Sequence, residues 1–114
     1  MKLSTGTDIV SVQRIEKAYR KFGERFVKRI LTDNEIKEFD RRKDKIIFLA
    51  SRFAAKEAVY KAYSITPFSW HRIEIIKEGE KPAVKIDGTK VNGLSLSLSH
   101  EKDYAIAFCV FLEK

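Results

Sequence analysis

The sequence has few of the residues that mark secreted, zinc-binding or disordered proteins. Its single cysteine, Cys109, cannot form an internal disulfide, and its histidines, His71 and His100, give no Cys/His grouping with zinc-ligand spacing. No secretory segment follows Met1, and no apolar run approaches the length of a membrane span. Linkers, repeats and low-complexity tracts are absent. We therefore expect one domain covering residues 1–114, in a cytoplasmic protein with no membrane partner.

The composition is that of a folded protein with an excess of positive charge. Hydrophobic residues make up 44% of the 114 residues, which excludes a disordered chain. A chain of this size buries roughly two thirds of its unfolded surface. The formal net charge of +7 favours an acidic partner. Nucleic acid, an anionic membrane surface, an acidic protein and a phosphorylated small molecule all fit this charge.

Much of the positive charge lies near the start of the chain, at helical spacing. The basic stripe consists of Arg14, Lys17, Lys21, Arg25 and Lys28. A separate apolar face consists of Ile15, Phe22, Phe26 and Ile30. Ser11 is a suitable N-cap for this helix, and Gly23 is expected to divide it in two. The stripe favours binding of an acidic partner, but a simple solvated face would give the same pattern.

Helices follow an opening strand in the first half of the chain. The strand falls within residues 2–10 and carries Asp8. Thr32 and Glu35 have capping-box spacing, which predicts a second helix through about Arg42. An Ala-rich segment without Pro or Gly predicts a long, largely buried helix over about residues 45–63.

The second half of the chain reads as strands, at 72–77, 83–86, 94–99 and 104–112, with turn residues between them. The last strand is apolar at every position, so we expect both of its faces to be covered. Its small residues, Ala105, Ala107 and Cys109, favour close packing against another surface, such as another subunit. The predicted fold class is α+β, with N-terminal helices and one long central helix packed on a mostly antiparallel sheet.

Acidic and basic residues of the long helix, together with Asp8, suggest a phosphate-binding metal site. Asp8 and Glu57 are candidate ligands for Mg²⁺, which takes one or two carboxylates and completes its shell with water and phosphate oxygens. Arg52, Lys56 and Lys61 would neutralise a phosphorylated ligand. Two plainer interpretations remain open at this point. Asp8 fits a turn or cap residue, and Glu57 and Lys61 fit an ion pair along one helix face.

Several segments resemble the holo-[acyl-carrier-protein] synthases, the short, single-domain branch of the 4'-phosphopantetheinyl transferases. The resemblance spans nearly the whole chain, in register. It rests on Gly6 to Val10, Arg14-Ile15, Arg25 to Glu35, Arg52 to Ala62, Trp70 to Ile75, Glu80 to Pro82 and Leu96 to His100. Two features depart from the family's pattern: no glycine follows Ala62 directly, and Glu101 stands where a threonine is usual.

The resemblance implies transfer of 4'-phosphopantetheine from coenzyme A to a serine of acyl carrier protein, in support of fatty acid synthesis. Asp8 and Glu57 would bind Mg²⁺, and Asp8, Glu57 and Lys61 would form the catalytic group. The implied coenzyme A contacts are Arg52, Lys56, Lys61, Lys81, Pro82 and His100. The implied contacts to the acidic carrier protein are Arg14, Lys17, Lys21 and Arg25. The family also implies a homotrimer with active sites between subunits.

Two other classes of function also fit parts of the sequence. A small basic nucleic-acid-binding module fits the charge, but the sequence has no RNA-binding aromatic motif, zinc finger or helix-turn-helix pattern. Such a module would also give Asp8 and Glu57 no role, so we expect no nucleic-acid partner. A catalytically silent assembly subunit has only the small residues of the last strand in its favour.

Overall fold

The computed structural model describes all 114 residues, which form four helices and six strands. The helices are α1 (Val12–Phe22), α2 (Glu24–Ile30), α3 (Asp33–Arg41) and α4 (Lys45–Tyr63). The strands are β1 (Lys2–Ser11), β2 (Ile73–Glu78), β3 (Lys81–Ile86), β4 (Thr89–Lys90), β5 (Leu94–His100) and β6 (Tyr104–Glu113). A short 3-10 turn, Trp70–Arg72, precedes β2. None of the helices combines the length and apolar character needed to cross a bilayer.

The helix boundaries follow their local signals. The Ser11 hydroxyl accepts a hydrogen bond from the backbone N–H of Arg14 and caps α1. Gly23, with φ of 57°, separates α1 from α2. Thr32 and Glu35 form the predicted capping box at the start of α3. These predictions are confirmed, whereas β4 and the 3-10 turn were not predicted from the sequence.

The strands form two antiparallel sheets in place of the one sheet expected. The first has the order β1-β6-β5, so the opening strand pairs with the last, and Asp8 lies opposite Ala107. The second has the order β2-β3-β4. Helix α4 packs on the inner face of the first sheet and also contacts β2 of the second. The α+β class and the long central helix are confirmed.

The contact between β1 and α4 depends on Gly6. A Cβ atom at this position would lie 2.1 Å from the carbonyl oxygen of Ala58 and 2.8 Å from the amide nitrogen of Ala62. The Ala residues of α4 present little more than backbone at this contact, and Ala58 is fully buried. Because β1 and α4 approach so closely, Asp8, two residues beyond Gly6, is brought against the same helix.

Only one of the two faces of β6 is covered within the chain, although both were expected to be. Its small residues, Ala105, Ala107 and Cys109, are completely buried on the side that meets α4 within the same chain, so they do not form a subunit contact. The opposite face carries large side chains that remain open. Its exposed apolar residues on β1 and β6 are Leu3, Ile9, Tyr104, Ile106 and Phe108. The prediction that both faces are covered therefore does not hold within one chain.

Candidate active site

Asp8, Lys61 and Thr7 form the polar contact between β1 and α4. Nζ of Lys61 donates to the backbone carbonyl of Thr7 at 2.9 Å and to Oδ1 of Asp8 at 3.4 Å. Lys61 therefore pairs with Asp8, and no salt bridge joins it to Glu57. Asp8 lies within a strand, so the structure does not favour a turn or cap role for it. Glu57 and Lys61 form no ion pair along the helix face, because Lys61 pairs with Asp8.

Glu57 lies beside Asp8 without a cation of its own. The two carboxylates line the same cavity, of about 280 Å³, together with Arg14 and Phe53. Burial raises the pKa of Glu57, the negative charge of Asp8 raises it further, and Lys61 opposes both effects. Lys61 is the only salt-bridge partner of this carboxylate pair, and it contacts Asp8 alone, so Glu57 keeps an unpaired carboxylate that would attract a bound cation.

This carboxylate pair fits Mg²⁺, which completes its shell with water and phosphate oxygens, better than it fits a metal whose ligands all come from protein. The chain contains no group of three or more His, Cys, Asp or Glu side chains arranged around a common point. A zinc or calcium cage is therefore not formed by this chain. Asp8 and Glu57 would supply two oxygen ligands, which fits the one or two carboxylates that Mg²⁺ takes when a phosphorylated substrate provides others.

An apolar trough runs from the carboxylate pair to the outer surface of α1 and α2. Ala18 and Phe26 line both the cavity at Asp8 and an adjoining one, which also contains Phe22 and two arginines, Arg25 and Arg29. Phe22 is 46% exposed, so it belongs to this surface and not to the core. The basic residues predicted to bind the carrier protein are exposed and form no ion pairs. They are Arg14, Lys17, Lys21 and Arg25.

A second cavity, of about 780 Å³, lies between the two sheets and contains other predicted ligand contacts. Arg52, Lys81 and Pro82 line it, but Asp8 and Glu57 do not. The side chain of Arg52 is only 9% exposed, and its Nε is buried without a hydrogen-bond partner. A buried donor without a partner costs free energy, so this guanidinium is suited to an anion that enters the cavity.

His100 lies apart from both cavities. It is exposed at the end of β5. The hydrogen bonds from Arg42 are the main cause of a lowered pKa at Asp44, and the charge of His100 adds to it. The exposed His100 is accessible to a ligand that reaches the end of β5.

Lys56 does not face a ligand. It is completely buried, and Nζ donates to Glu35 Oε1 at 2.6 Å, to the carbonyl of Ile30 at 2.7 Å and to the carbonyl of Trp70 at 3.1 Å. All three ammonium donors are thus used within the chain. This arrangement contradicts the prediction that Lys56 contacts coenzyme A, and gives it a structural role next to Glu57.

The partner of Lys56, Glu35, was not recognised as part of the site from sequence. Its carboxylate accepts from the backbone N–H of Thr32 and of Ile75, both at 2.8 Å, in addition to Lys56. The Lys56–Glu35 pair thereby connects α4 with α3, β2 and the end of α2. The capping-box pattern indicated the bond to Thr32, but nothing in the local pattern indicated the other two.

Known proteins resemble this chain over nearly its whole length. The model of the 4'-phosphopantetheinyl transferase superfamily matches residues 4–109. A holo-[acyl-carrier-protein] synthase from Chlorobaculum tepidum is 40% identical to the chain, over 96% of this chain and 97% of that protein. The crystal structure of such a synthase from Neisseria meningitidis has a TM-score of 0.86 at 36% identity and covers 96% of this chain and 98% of its own.

A third relative was solved with a ligand. The Helicobacter pylori holo-[acyl-carrier-protein] synthase, crystallised in complex with coenzyme A, has a TM-score of 0.80 at 33% identity, covering 95% of this chain and 99% of its own. The chain therefore belongs to the 4'-phosphopantetheinyl transferase superfamily and, within it, to the holo-[acyl-carrier-protein] synthases.

Proposed function

We propose that the chain transfers the 4'-phosphopantetheine group from coenzyme A to a serine of apo acyl carrier protein, releasing adenosine 3',5'-bisphosphate. The observation that carries this proposal is the carboxylate pair of Asp8 and Glu57 in one cavity, with Lys61 bound to Asp8 and Arg14 at the rim. The reaction joins the serine oxygen to the phosphorus next to pantetheine and breaks the pyrophosphate bond. Positioning and charge neutralisation supply most of the rate in such a reaction.

Each residue of this group has a distinct task. Glu57 accepts the proton of the serine hydroxyl. Lys61 stabilises the negative charge that develops on the leaving phosphate. Asp8 holds Lys61 in place and, with Glu57, would hold Mg²⁺. When bound, this ion supplies charge neutralisation at the pyrophosphate.

The carrier protein approaches along α1 and α2. Arg14, Lys17, Lys21 and Arg25 are free of ion pairs, so their charges are available to an acidic surface. The apolar trough beside them leads to Glu57 and accommodates nonpolar residues next to the reacting serine. The basic residues should speed encounter with the carrier protein, and this gain should decrease as salt is added.

Coenzyme A also contacts Arg52, Lys81, Pro82 and His100 in this proposal. Arg52 and Glu57 are five residues apart on α4, so their side chains point about 140° apart. Accordingly, the Arg52 cavity and the carboxylate pair share no lining residue. The proposal therefore places the two groups that one nucleotide touches on different copies of the chain.

The proposed assembly is a homotrimer with active sites between subunits. The open apolar face of β1 and β6 is the surface that a second copy would cover. Phe108 and Ile106 are 45% and 40% exposed there, and Ile9 on the neighbouring strand is 61% exposed. Adjacent exposed apolar residues of this size mark an interaction surface in a folded protein.

The activity is tested by the mass of the carrier protein. Apo acyl carrier protein is incubated with coenzyme A and the native chain, with Mg²⁺ or with a chelator. We expect a phosphopantetheine mass increase only when Mg²⁺ is present. Several carrier proteins that all stay unmodified would overturn the proposal, and tight, salt-sensitive RNA binding by the same preparation would favour a nucleic-acid-binding module.

A further inference from the structure

Helix α2 depends on other elements for its position. It has only seven residues, Glu24–Ile30, and Gly23 at its start supplies no side-chain hydrogen bond to cap it. A helix this short is not stable by itself in water. It nevertheless carries Arg25 and Phe26, which line the surface that we assign to the carrier protein. The contacts that hold α2 therefore determine where this surface lies relative to Glu57.

Two basic side chains from other elements hold the C-terminal end of α2. Nε2 of His71 donates to the carbonyl oxygen of Lys28 at 2.5 Å. A carbonyl oxygen only accepts, so Nε2 of His71 carries the proton of this bond. Nζ of Lys56 donates to the carbonyl oxygen of Ile30 at 2.7 Å. Carbonyl groups in the last turn of a helix have no partner within it, so these two bonds fasten the end of α2 to the rest of the chain.

The 3-10 turn that carries His71 is itself fixed to α4 beside the carboxylate pair. The carbonyl oxygen of Trp70, the preceding residue, accepts from Nζ of Lys56 at 3.1 Å. The ring of Trp70 packs against that of Phe53, with their centroids 4.8 Å apart. Phe53 in turn lines the cavity that contains Glu57. Direct contacts thus connect this cavity, through the turn, to the end of α2.

His71 acts on the site only through α2. It lines neither the cavity of Asp8 and Glu57 nor the adjoining cavity that contains Arg25. It is exposed, so its bond to the Lys28 carbonyl and not its burial gives it a role.

We propose that His71 is a positioning residue for the carrier protein, whose bond to Lys28 holds α2 in the orientation that sets Arg25 and the apolar trough relative to Glu57. The inference rests on the proposed function, because it takes the carrier protein as the molecule that docks on α2. Arg25 lies about one helical turn before Lys28, so the two residues move together. Without the bond from His71, Lys56 alone fastens the last turn of α2, and the docking surface loses its fixed position.

Two amide substitutions isolate the hydrogen bond from the rest of the side chain. In His71→Gln the amide nitrogen takes the place of Nε2 and can still donate to Lys28. In His71→Asn the amide is one methylene shorter and does not reach, and His71→Phe keeps a ring but has no donor. Arg72→Gln is the matched control, because Arg72 lies in the same turn but donates to Asp87 and to the carbonyl of Pro67.

The experiment measures the KM for carrier protein and the KM for coenzyme A in the same transfer assay. His71→Asn and His71→Phe should raise the KM for carrier about fivefold, the effect of one hydrogen bond, and leave the KM for coenzyme A unchanged. His71→Gln and Arg72→Gln should behave like the native chain. Adding Arg25→Gln to His71→Asn should cost less than it does in the native chain, because both changes act through α2. Arg14→Gln, on α1, should keep its whole effect.

An unchanged KM for carrier in His71→Asn, or an equal rise in the KM for coenzyme A, would overturn the inference. Hydrogen exchange of the free chain distinguishes positioning from a direct contact between His71 and the carrier. The amides of α2 should exchange faster in His71→Asn than in the native chain, and those of α1 at the native rate. Unchanged exchange in α2 would also overturn the inference.

Titration of the chain with apo carrier protein provides a test that does not require transfer. Binding should be about fivefold weaker in His71→Asn than in His71→Gln. Equal binding by these two variants would contradict the role of His71. Absence of transfer by the native chain, together with weaker carrier binding in His71→Asn, would contradict the proposed function and support the inference.

Discussion

The α-carbon of Gly6 lies against the backbone carbonyl of Ala58, with no room between them for a methyl group. This contact joins β1 to α4 two residues before Asp8 and one residue after Glu57. It therefore determines the separation of the two carboxylates that we assign to the metal and the reacting serine.

Gly6→Ala should destabilise the chain and impair the site. Its Cβ would lie 2.1 Å from the Ala58 oxygen, which is backbone and cannot move without the helix. Overpacking of this kind costs about 3 kcal/mol in unfolding free energy. Chemical denaturation gives the value. Gly79→Ala is the control, since nothing lies within 4 Å of its Cβ and only the positive φ is unfavourable, at a cost of about 1 kcal/mol. Equal losses in both variants would contradict the role of this contact.

Breaking the buried pair of Lys56 and Glu35 should be among the most damaging changes. Lys56→Met leaves the Glu35 carboxylate buried without its cation, and we expect a loss of about 3 to 5 kcal/mol. Adding Glu35→Gln to this variant should recover part of the loss, because the uncompensated charge is removed. Arg20→Met, which breaks the exposed pair with Glu16, should cost less than about 1 kcal/mol. Denaturation midpoints that rank these variants differently would contradict the assignment.

Glu57→Gln should stabilise the metal-free chain at neutral pH. Burial and the charge of Asp8 raise the pKa of Glu57, so the folded chain holds this proton more tightly than the unfolded chain does. Below the pKa of an exposed glutamate, Glu57 is protonated in both the folded and the unfolded chain, so it does not destabilise the fold. As the pH rises through the folded pKa, ionisation destabilises the fold. The difference in melting temperature between variant and native chain should therefore appear as the pH rises and vanish in acid.

Mg²⁺ should reverse that order of stability. The ion binds the folded carboxylate pair and stabilises the native chain as its concentration rises. Glu57→Gln lacks one of the two charged ligands, so its melting temperature should respond much less. Equal responses of the two proteins to Mg²⁺ would count against a metal at Asp8 and Glu57. Asp44→Asn, which alters a carboxylate outside this cavity, is the matched control and should respond like the native chain.

Arg14→Glu should raise the KM for carrier protein by about tenfold or more while changing the KM for coenzyme A little. Arg14 is exposed at the cavity rim and forms no ion pair. Lys37→Glu makes the same change in net charge on α3, outside the cavity at Asp8, and serves as the control. Equal rises in both Michaelis constants, or an equal effect of the control, would exclude a docking role for Arg14.

Ile106→Glu should prevent self-association and abolish transfer. A charge in the middle of the open face of β1 and β6 would have to be buried at the proposed subunit contact, which is unfavourable. Sedimentation velocity should show a trimer for the native chain and a folded monomer for the variant. Thr89→Glu, on the exposed strand β4, should leave the trimer unchanged. A native chain that sediments as a monomer yet transfers phosphopantetheine would refute the shared site.

Local signals in the sequence predicted most element boundaries. The capping residues Ser11 and Thr32, the break at Gly23 and the helix over residues 45–63 depend on neighbours within one or two turns, so the sequence shows them directly. The inner face of β6 did not follow from sequence, because both of its faces are apolar and periodicity cannot distinguish them. Only the packing of α4 decides that Ala105 and Ala107 point inward.

The site was predicted in part for the same reason. Asp8, Glu57 and Lys61 were identified by residue type and family pattern, and the structure brings them together. Lys56 was placed incorrectly, because its partner Glu35 lies 21 residues away in sequence and only the packing of α3 against α4 joins them.

The measurement closest to the central claim is the mass of apo acyl carrier protein after incubation with coenzyme A, Mg²⁺ and each of three proteins. The native chain should add the mass of phosphopantetheine to the carrier, whereas Glu57→Gln and Asp8→Ala, both folded by circular dichroism, should leave it unmodified. Modification at native rates by either variant, or no modification by the native chain, would contradict the assignment of the carboxylate pair to the transfer.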